Sequence, residues 1–456
     1  MSGFLKGPHD ASRISLPAGH TGLQIGSMEV LGRVIVERRD APEAVLPRSG
    51  GDQYPLCEGE RHDIAVVVVS VFAYQVDATR RSPDSRWLPL SPSTEGLDES
   101  GGVIAHASHC RRTASGEATG PRQAPVHAHK VKGMMAAYAV RADPEAPLSA
   151  LVVGEIEPPG APSGWVRVQV VAAALNRHDI WSLRGVGLPA ERLPMILGCD
   201  AAGVTEEGRE VIVHAVINAP DFVGSDATYD PKRSLLSERY PGTFATYVWV
   251  PPANLVDKPP ELSFAEAACL PTAWLTAYRM LFSQSGARPG DTVLIQGAGG
   301  GVATALVVLG RQAGMRVWVT SRDEARGAQA VSLGAHQAFR IGARLPERVD
   351  AVMESVGAAT WSHSINVLKP GGTLVICGAT SGDNPPRAEL TKIYFKPLRV
   401  IGSTMGTRDE LIALTKMLVT TGIRPYIDRV LPLADAAAGF AAMIAGDHFG
   451  KIIFEP

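Results

Sequence analysis

The segment VLIQGAGGGVATALVVLG, residues 293–310, carries the strongest chemical signal in the chain. An apolar run leads into Gly297, Ala298, Gly299, Gly300 and Gly301, and a helical pattern starts at about Val302. Glycines let a backbone turn tightly and approach an anion closely, while a helix start offers unpaired N–H groups and a positive dipole end. That chemistry suits the pyrophosphate of a dinucleotide. Glycine clusters also serve ordinary turns, but a strand before and a helix after is the context that dinucleotide binding requires. The last glycine of the G-x-G-x-x-G spacing is missing, with Val302 and Ala303 in its place; alanine is tolerated where the role is helix–strand packing. The next β-rich run, RVWVT, ends in Ser321-Arg322 rather than in the carboxylate that holds an unphosphorylated ribose. A hydroxyl and a guanidinium bind a 2′-phosphate through charge-assisted hydrogen bonds, so NADP(H) is the expected cofactor. The alternative is that Arg322 is a solvated helix-start residue and Asp323 reaches the ribose.

These residues need a scaffold, and the patterning from Met135 onward supplies one. The runs AAYAV (136–140), WVRVQVVAAAL (165–175), VIVHAV (211–216) and ATYVWV (245–250) read as strands between Gly/Pro punctuation. At Leu262 the texture changes: Ser263 with Glu266 forms a capping box, and the apolar stretch behind it is interrupted at Pro271 and ends near Gly286. Strands and helices then alternate through LRVIGSTM, which argues for a parallel sheet covered on both faces. Thr407 with Glu410 caps another helix, and the chain ends in a helix near 434–445 and a strand, KIIFEP. The fold expected is α/β: a doubly wound parallel sheet inserted in a mostly β domain. Its divisions are 134–256, 257–406 and a return segment 407–456.

Residues 1–133 read differently, with seven of the twelve histidines and no sustained period apart from a strand-like IAVVVVSVFAY (64–74). The reading is a disordered extension or an upstream start, with an added regulatory domain as the alternative. The chain has 456 residues, with 44 Lys+Arg against 46 Asp+Glu, a balance that leaves no electrostatic footprint for nucleic acid or an anionic membrane. No apolar leader or run of ~20 apolar residues appears, and five scattered cysteines make no disulfide framework. The expectation is a soluble, cytoplasmic protein.

Eight motifs occur in order: LNRHDIWSLRG (175–185), PMILGCDAAGV (194–204), GTFATYVWVP (242–251), LPTAWLTAYRML (270–281), GAGGGV (297–302), VGAATW (356–361), PGGTLVICGATSG (370–382) and GSTMGTRDEL (402–411). With them the chain, over about 135–456, resembles the medium-chain dehydrogenase/reductase superfamily, and within it the quinone oxidoreductase-like branch of the zinc-type alcohol dehydrogenases. The resemblance implies a GroES-like catalytic domain around a Rossmann insertion. It also implies that Ser355 and Val356 contact the adenine-side ribose, and that Gly378, Ala379, Thr404 and Met405 line the nicotinamide. Thr276 would back that ring, and Lys451 would reach the pyrophosphate or be a solvated strand-end lysine.

Zinc-dependent members carry a structural site of four closely spaced cysteines, which is absent here. The alignment puts Asn176, Cys199 and Thr272, with Asp200 alongside, where such members hold the catalytic zinc. Asn and Thr are poor zinc ligands, so no metal is expected. Without a Lewis acid, the accessible chemistry is hydride transfer to an acceptor that is already electron-poor, such as a quinone or an α,β-unsaturated carbonyl. Asn176 would donate an amide hydrogen bond to that acceptor, and His178 would be the proton donor or else a partly exposed loop histidine. Asp179 would orient His178 or hold its loop, and Trp181 would wall the acceptor site or belong to the core. A zinc-assisted alcohol or aldehyde dehydrogenase and a non-catalytic NADPH-binding module stay open. The partners expected are a small electron-poor molecule and a second copy of the chain, joined by edge strands of the cofactor domain, with no nucleic acid and no membrane.

Overall fold

The computed structural model describes residues 133–456. The expectations for the N-terminal stretch, including the strand-like 64–74, lie outside the described residues.

Six strands form one parallel sheet, in spatial order Gln337–Arg340, Arg316–Ser321, Thr292–Ile295, Val349–Glu354, Leu368–Ile376 and Arg399–Gly402. In order of appearance this is 3-2-1-4-5-6, the doubly wound arrangement. Its apolar runs are continuous because both faces are covered. Val293 and Ile295 point into one core with Leu306 and Val307 of the helix Gly301–Gln312, whereas Leu294 between them points into the opposite core with Ile365. Alternation along a strand sends successive side chains to opposite faces, so an all-apolar strand needs helices on each side.

The second sheet is mixed and runs Leu255–Asp257, Glu210–Val213, Asp200–Thr205, Val166–Ala174, Lys451–Glu455 and Ile427–Pro432, with Tyr247–Val250 also paired to Val166–Ala174. Its most distant member in sequence is Lys451–Glu455, which pairs antiparallel to Val166–Ala174 and parallel to Ile427–Pro432. The last five-residue strand therefore closes a sheet begun some 280 positions earlier. Phe244, Phe440 and Phe454 pack edge-on and stacked in the core beneath it.

Between the sheets runs the segment Phe264–Gln284. Ser263 and Glu266 cap it reciprocally, as the sequence reading expected. Pro271 has no N–H for the helical ladder, and the backbone there widens to a π-turn over Leu270–Trp274 before regular helix resumes at Leu275. Buried Arg279 near its end donates to Glu410 Oε2 at 2.8 Å, to Thr228 Oγ1 at 3.2 Å and to Asp226, joining three segments around two carboxylates. Thr407 and Glu410 form the second expected capping box, on the helix Arg408–Thr421. Among the described residues no helix is long and apolar enough to cross a membrane.

Candidate active site

In an open doubly wound sheet, the crevice lies where strand order reverses, between the first and fourth strands. Here those are Thr292–Ile295 and Val349–Glu354, and their following loops are Gly297–Gly301 and Ser355–Gly357. Gly297 turns the first loop with φ +88°, a conformation costly to any residue with a Cβ. Its N–H donates to Thr320 Oγ1 at 3.1 Å, and Thr320 in turn donates to Gln296 Oε1 at 2.7 Å. The helix Gly301–Gln312 starts at exposed Gly300 with no side chain capping it, so its first N–H groups face outward unclaimed by a cap. This is a cradle that fits a dinucleotide pyrophosphate.

The second loop is held by Glu354, a wholly buried carboxylate at the end of an apolar strand. Its Oε1 accepts from the N–H groups of Val356 (2.7 Å) and Gly357 (3.0 Å), and its Oε2 from the hydroxyls of Thr360 (2.8 Å) and Ser364 (2.6 Å). Sequence reasoning passed over Glu354; an acidic residue inside AVMES was the available signal. A Cβ on Gly297 would sit 3.6 Å from Val356 Cγ2, and one on Gly378 would sit 3.5 Å from Ser355 O. The residues Gly297, Ser355, Val356 and Gly378 are thus brought together, with Ala379 against Gly357. Ser321 Oγ bonds to the N–H and carbonyl of Asp323, while Asp323 caps the next helix through Ala325 N–H, which leaves Arg322 exposed at the strand end.

Thr276 is buried on Leu275–Tyr278, and Thr404 is exposed. Met405, at φ +49°, packs against Cys199, Ala215 and Val216, so the loop after the last strand of the parallel sheet meets the segments 199 and 215–216 there.

The other half of the site departs from the sequence expectations. Lys451 is 1% exposed, and its ammonium donates to Leu175 O (2.9 Å) and Asn176 Oδ1 (2.6 Å) and lies 3.3 Å from Asp200 Oδ2. An ammonium has three donors and all three are taken, so Lys451 neither reaches a pyrophosphate nor sits in solvent as drawn from the resemblance. Its stem instead crosses the cradle: a Cβ on Gly301 would fall 2.8 Å from Lys451 Cδ. The glycine at 301 accommodates this lysine.

Asn176 Nδ2 donates to Asp200 Oδ2 at 2.8 Å and to Ala174 O at 3.2 Å, so both amide hydrogens have partners inside the protein. The expected amide donation to an acceptor is corrected: the side chain is a clamped strut. Asp179 is wholly buried, with Oδ2 accepting from Asn176 N–H at 2.9 Å and Oδ1 from Gly198 N–H at 3.0 Å. It holds two backbones and makes no hydrogen bond to His178. Burial pushes its carboxyl up to about 6, against the pull of His178 and the backbone bond. His178 turns toward Glu238, with Nε2 3.9 Å from Oε1, too long for a hydrogen bond; that nitrogen has no other partner among the described residues. Trp181 is half-buried beneath the Arg184 guanidinium, 5.2 Å from its ring centre.

Of the residues aligned with a catalytic zinc, Thr272 keeps a buried hydroxyl with no partner among the described residues, but Asn176, Asp200 and Cys199 do not fit one. Asn176 Oδ1 and Asp200 Oδ2 already face an ammonium, and the buried Cys199 thiol donates to Leu236 O at 3.3 Å. Burial, then the charges of Asp179 and Asp200, hold that thiol well above its ordinary range.

Comparison with known proteins matches both halves of the fold. The alcohol dehydrogenase GroES-like domain matches residues 162–260, and the zinc-binding dehydrogenase domain matches residues 301–420. A zinc-type alcohol dehydrogenase-like protein, YogA, of Leptosphaeria maculans is 30% identical over 330 residues, covering 64% of this chain and 90% of that protein. The crotonyl-CoA carboxylase/reductase of Cereibacter sphaeroides is 27% identical over 370 residues, covering 69% and 85%. A crystal structure of an NAD-dependent alcohol dehydrogenase superposes with a TM-score of 0.65 at 30% identity, covering 71% of this chain and 99% of that one. The chain belongs to the zinc-type alcohol dehydrogenase family of the medium-chain dehydrogenase/reductase superfamily and is an NAD(P)-dependent oxidoreductase.

Proposed function

We propose that the chain transfers a hydride from NADPH to an electron-poor small molecule, a quinone or an α,β-unsaturated carbonyl, without zinc. The observation that carries this reading is the buried Asn176–Asp200–Lys451 cluster, which fills the place of metal ligands with a resident ammonium. Without a Lewis acid, an acceptor must bring its own electrophilicity. The relative named a crotonyl-CoA carboxylase/reductase supports an unsaturated carbonyl as the acceptor class. When bound, a reduced nicotinamide supplies the hydride. The backbone N–H groups after Gly300 bind the pyrophosphate, exposed Arg322 selects the 2′-phosphate, and Glu354 holds the Ser355–Gly357 loop in place beside it. His178 is kept as the proton donor on the strength of its unpartnered Nε2. Asn176 and Asp179 act by holding the helix Arg177–Leu183 that carries it. In this reading the catalytic domain, 134–256, is completed by 407–456 around the cofactor domain, 257–406.

We further propose a homodimer through the edge strand Arg399–Gly402, because the adjoining helix Leu390–Phe395 exposes Leu390, Tyr394 and Phe395. The test of function is oxidation of NADPH and NADH against quinones, enones, enoyl thioesters and aldehydes, with zinc measured on the same sample. NADPH-linked reduction of quinones or enones by zinc-free protein is the expected result. Turnover confined to alcohols or aldehydes and lost on chelation would overturn the reading.

A further inference from the structure

Lys451 touches both halves of the site. Its stem lies on Gly301, the first residue of the helix whose start forms the cofactor cradle. Its ammonium holds Asn176 Oδ1, and Asn176 is the N-cap of the helix that carries His178. The amide of Asn176 is gripped from its other side by Asp200 Oδ2, which the same ammonium faces at 3.3 Å. Asp200 is wholly buried, its Oδ1 has no partner among the described residues, and Lys451 is the cation within ion-pair distance of it. A wholly buried carboxylate keeps its charge only beside a fixed countercharge. Lysine offers three donors from one compact charge, which matches the three oxygens converging here.

We infer that Lys451 is a positioning residue that stands in for the catalytic metal: its buried ammonium fixes Asn176 and Asp200, and through them the His178 helix, against the cofactor cradle. This rests on the oxidoreductase reading for its turnover arm. Metal and ammonium compete for the same oxygens, so the intact chain takes up no divalent ion at this cluster. The charge acts on geometry and not on the pyrophosphate, so its loss lowers turnover while leaving dinucleotide affinity in place.

The test uses the wild-type chain, Lys451→Met and Lys451→Ala. Cobalt(II) titration of the wild type should give no thiolate-to-cobalt absorption. NADPH affinity, read by fluorescence, should change by less than about threefold in Lys451→Met, while kcat falls about 10- to 100-fold, the range seen when groups orienting an active site are lost. In Lys451→Ala, propylammonium, which matches the missing atoms, should restore turnover saturably. NADPH affinity lost with kcat retained would make Lys451 a phosphate ligand and overturn the inference. Lower melting temperature with kcat and affinity unchanged, or no rescue by propylammonium, would reduce it to a structural lysine. If neither variant folds, the wild-type titration decides, since stoichiometric cobalt on Cys199 refutes the inference. Failure of the wild type to bind NADPH strikes the oxidoreductase reading instead and leaves the cobalt result standing.

Discussion

Gly301→Ala tests whether the cradle and the lysine strut are one packed unit. A Cβ at 301 falls 2.8 Å from Lys451 Cδ and 3.3 Å from Ala273 Cβ. Carbon atoms rest at about 3.5–4.0 Å, so the lysine stem must move by roughly 1 Å. It cannot swing freely, because its ammonium is held by Leu175 O, Asn176 Oδ1 and Asp200 Oδ2. Overpacking of this kind costs about 1–3 kcal/mol, offset by up to ~1 kcal/mol from replacing glycine in a helix. The net of about 1–2 kcal/mol corresponds to a melting temperature lowered by roughly 2–8 °C at this domain size. Thermal unfolding of the wild type, Gly301→Ala, Lys451→Ala and the double variant forms a cycle. Removing Lys451 beyond Cβ takes away the obstructing Cδ, so Gly301→Ala should then cost less than about 0.5 kcal/mol, giving a coupling of ~1 kcal/mol or more. Equal cost in both backgrounds, or an unchanged melting temperature, would refute the packing argument.

Arg322→Ala should lower the ratio of kcat/KM for NADPH over NADH by about 10- to 100-fold, since one charge-assisted hydrogen bond contributes about 1.5–3 kcal/mol; comparable loss with both cofactors would remove the 2′-phosphate contact. Arg279→Met should destabilise the fold by about 3–5 kcal/mol in denaturant unfolding, because it strands Asp226 and Glu410 together. Burial acts to raise the Asp226 carboxyl, but bonds from Thr228 and Arg279 outweigh it and hold it below its ordinary value. That contribution is present above the ordinary carboxylate range and is lost as pH falls through the lowered value, so the wild type and Arg279→Met should converge in acid. His448 is pushed down to about 4 by burial and by Arg177 and Arg326. The unfolded chain therefore binds the extra proton between about 6.5 and 4, and stability falls as pH drops through that window. His448→Gln should flatten the fall, read as melting temperature against pH.

The glycine turn between strand and helix was legible because it is local. Strand, glycines and helix are consecutive in 293–310, and each residue's role follows from neighbours a few positions away. The capping boxes at Ser263 and Thr407 were legible for the same reason. The helix Arg177–Leu183 was not read as a helix, since seven residues carry too little periodicity, although Asn176 and Asp179 mark its start. Lys451 was misassigned because its partners, Leu175, Asn176 and Asp200, lie more than 250 positions away and meet it when the last strand joins Val166–Ala174.

By itself the sequence determined the order of elements, the glycine turn between strand and helix at 293–310, and the Ser321–Arg322 pair at the end of the second strand of the parallel sheet, because backbone preference and helix-end electrostatics act within a few residues. The tertiary structure alone decided which charge sits beside Asn176 and Asp200. A buried ammonium gains its place from Leu175 and Asn176, just past the strand Val166–Ala174, and from Asp200 on its neighbour, and only pairing of the last strand with Val166–Ala174 brings those three oxygens within 3.3 Å of one nitrogen.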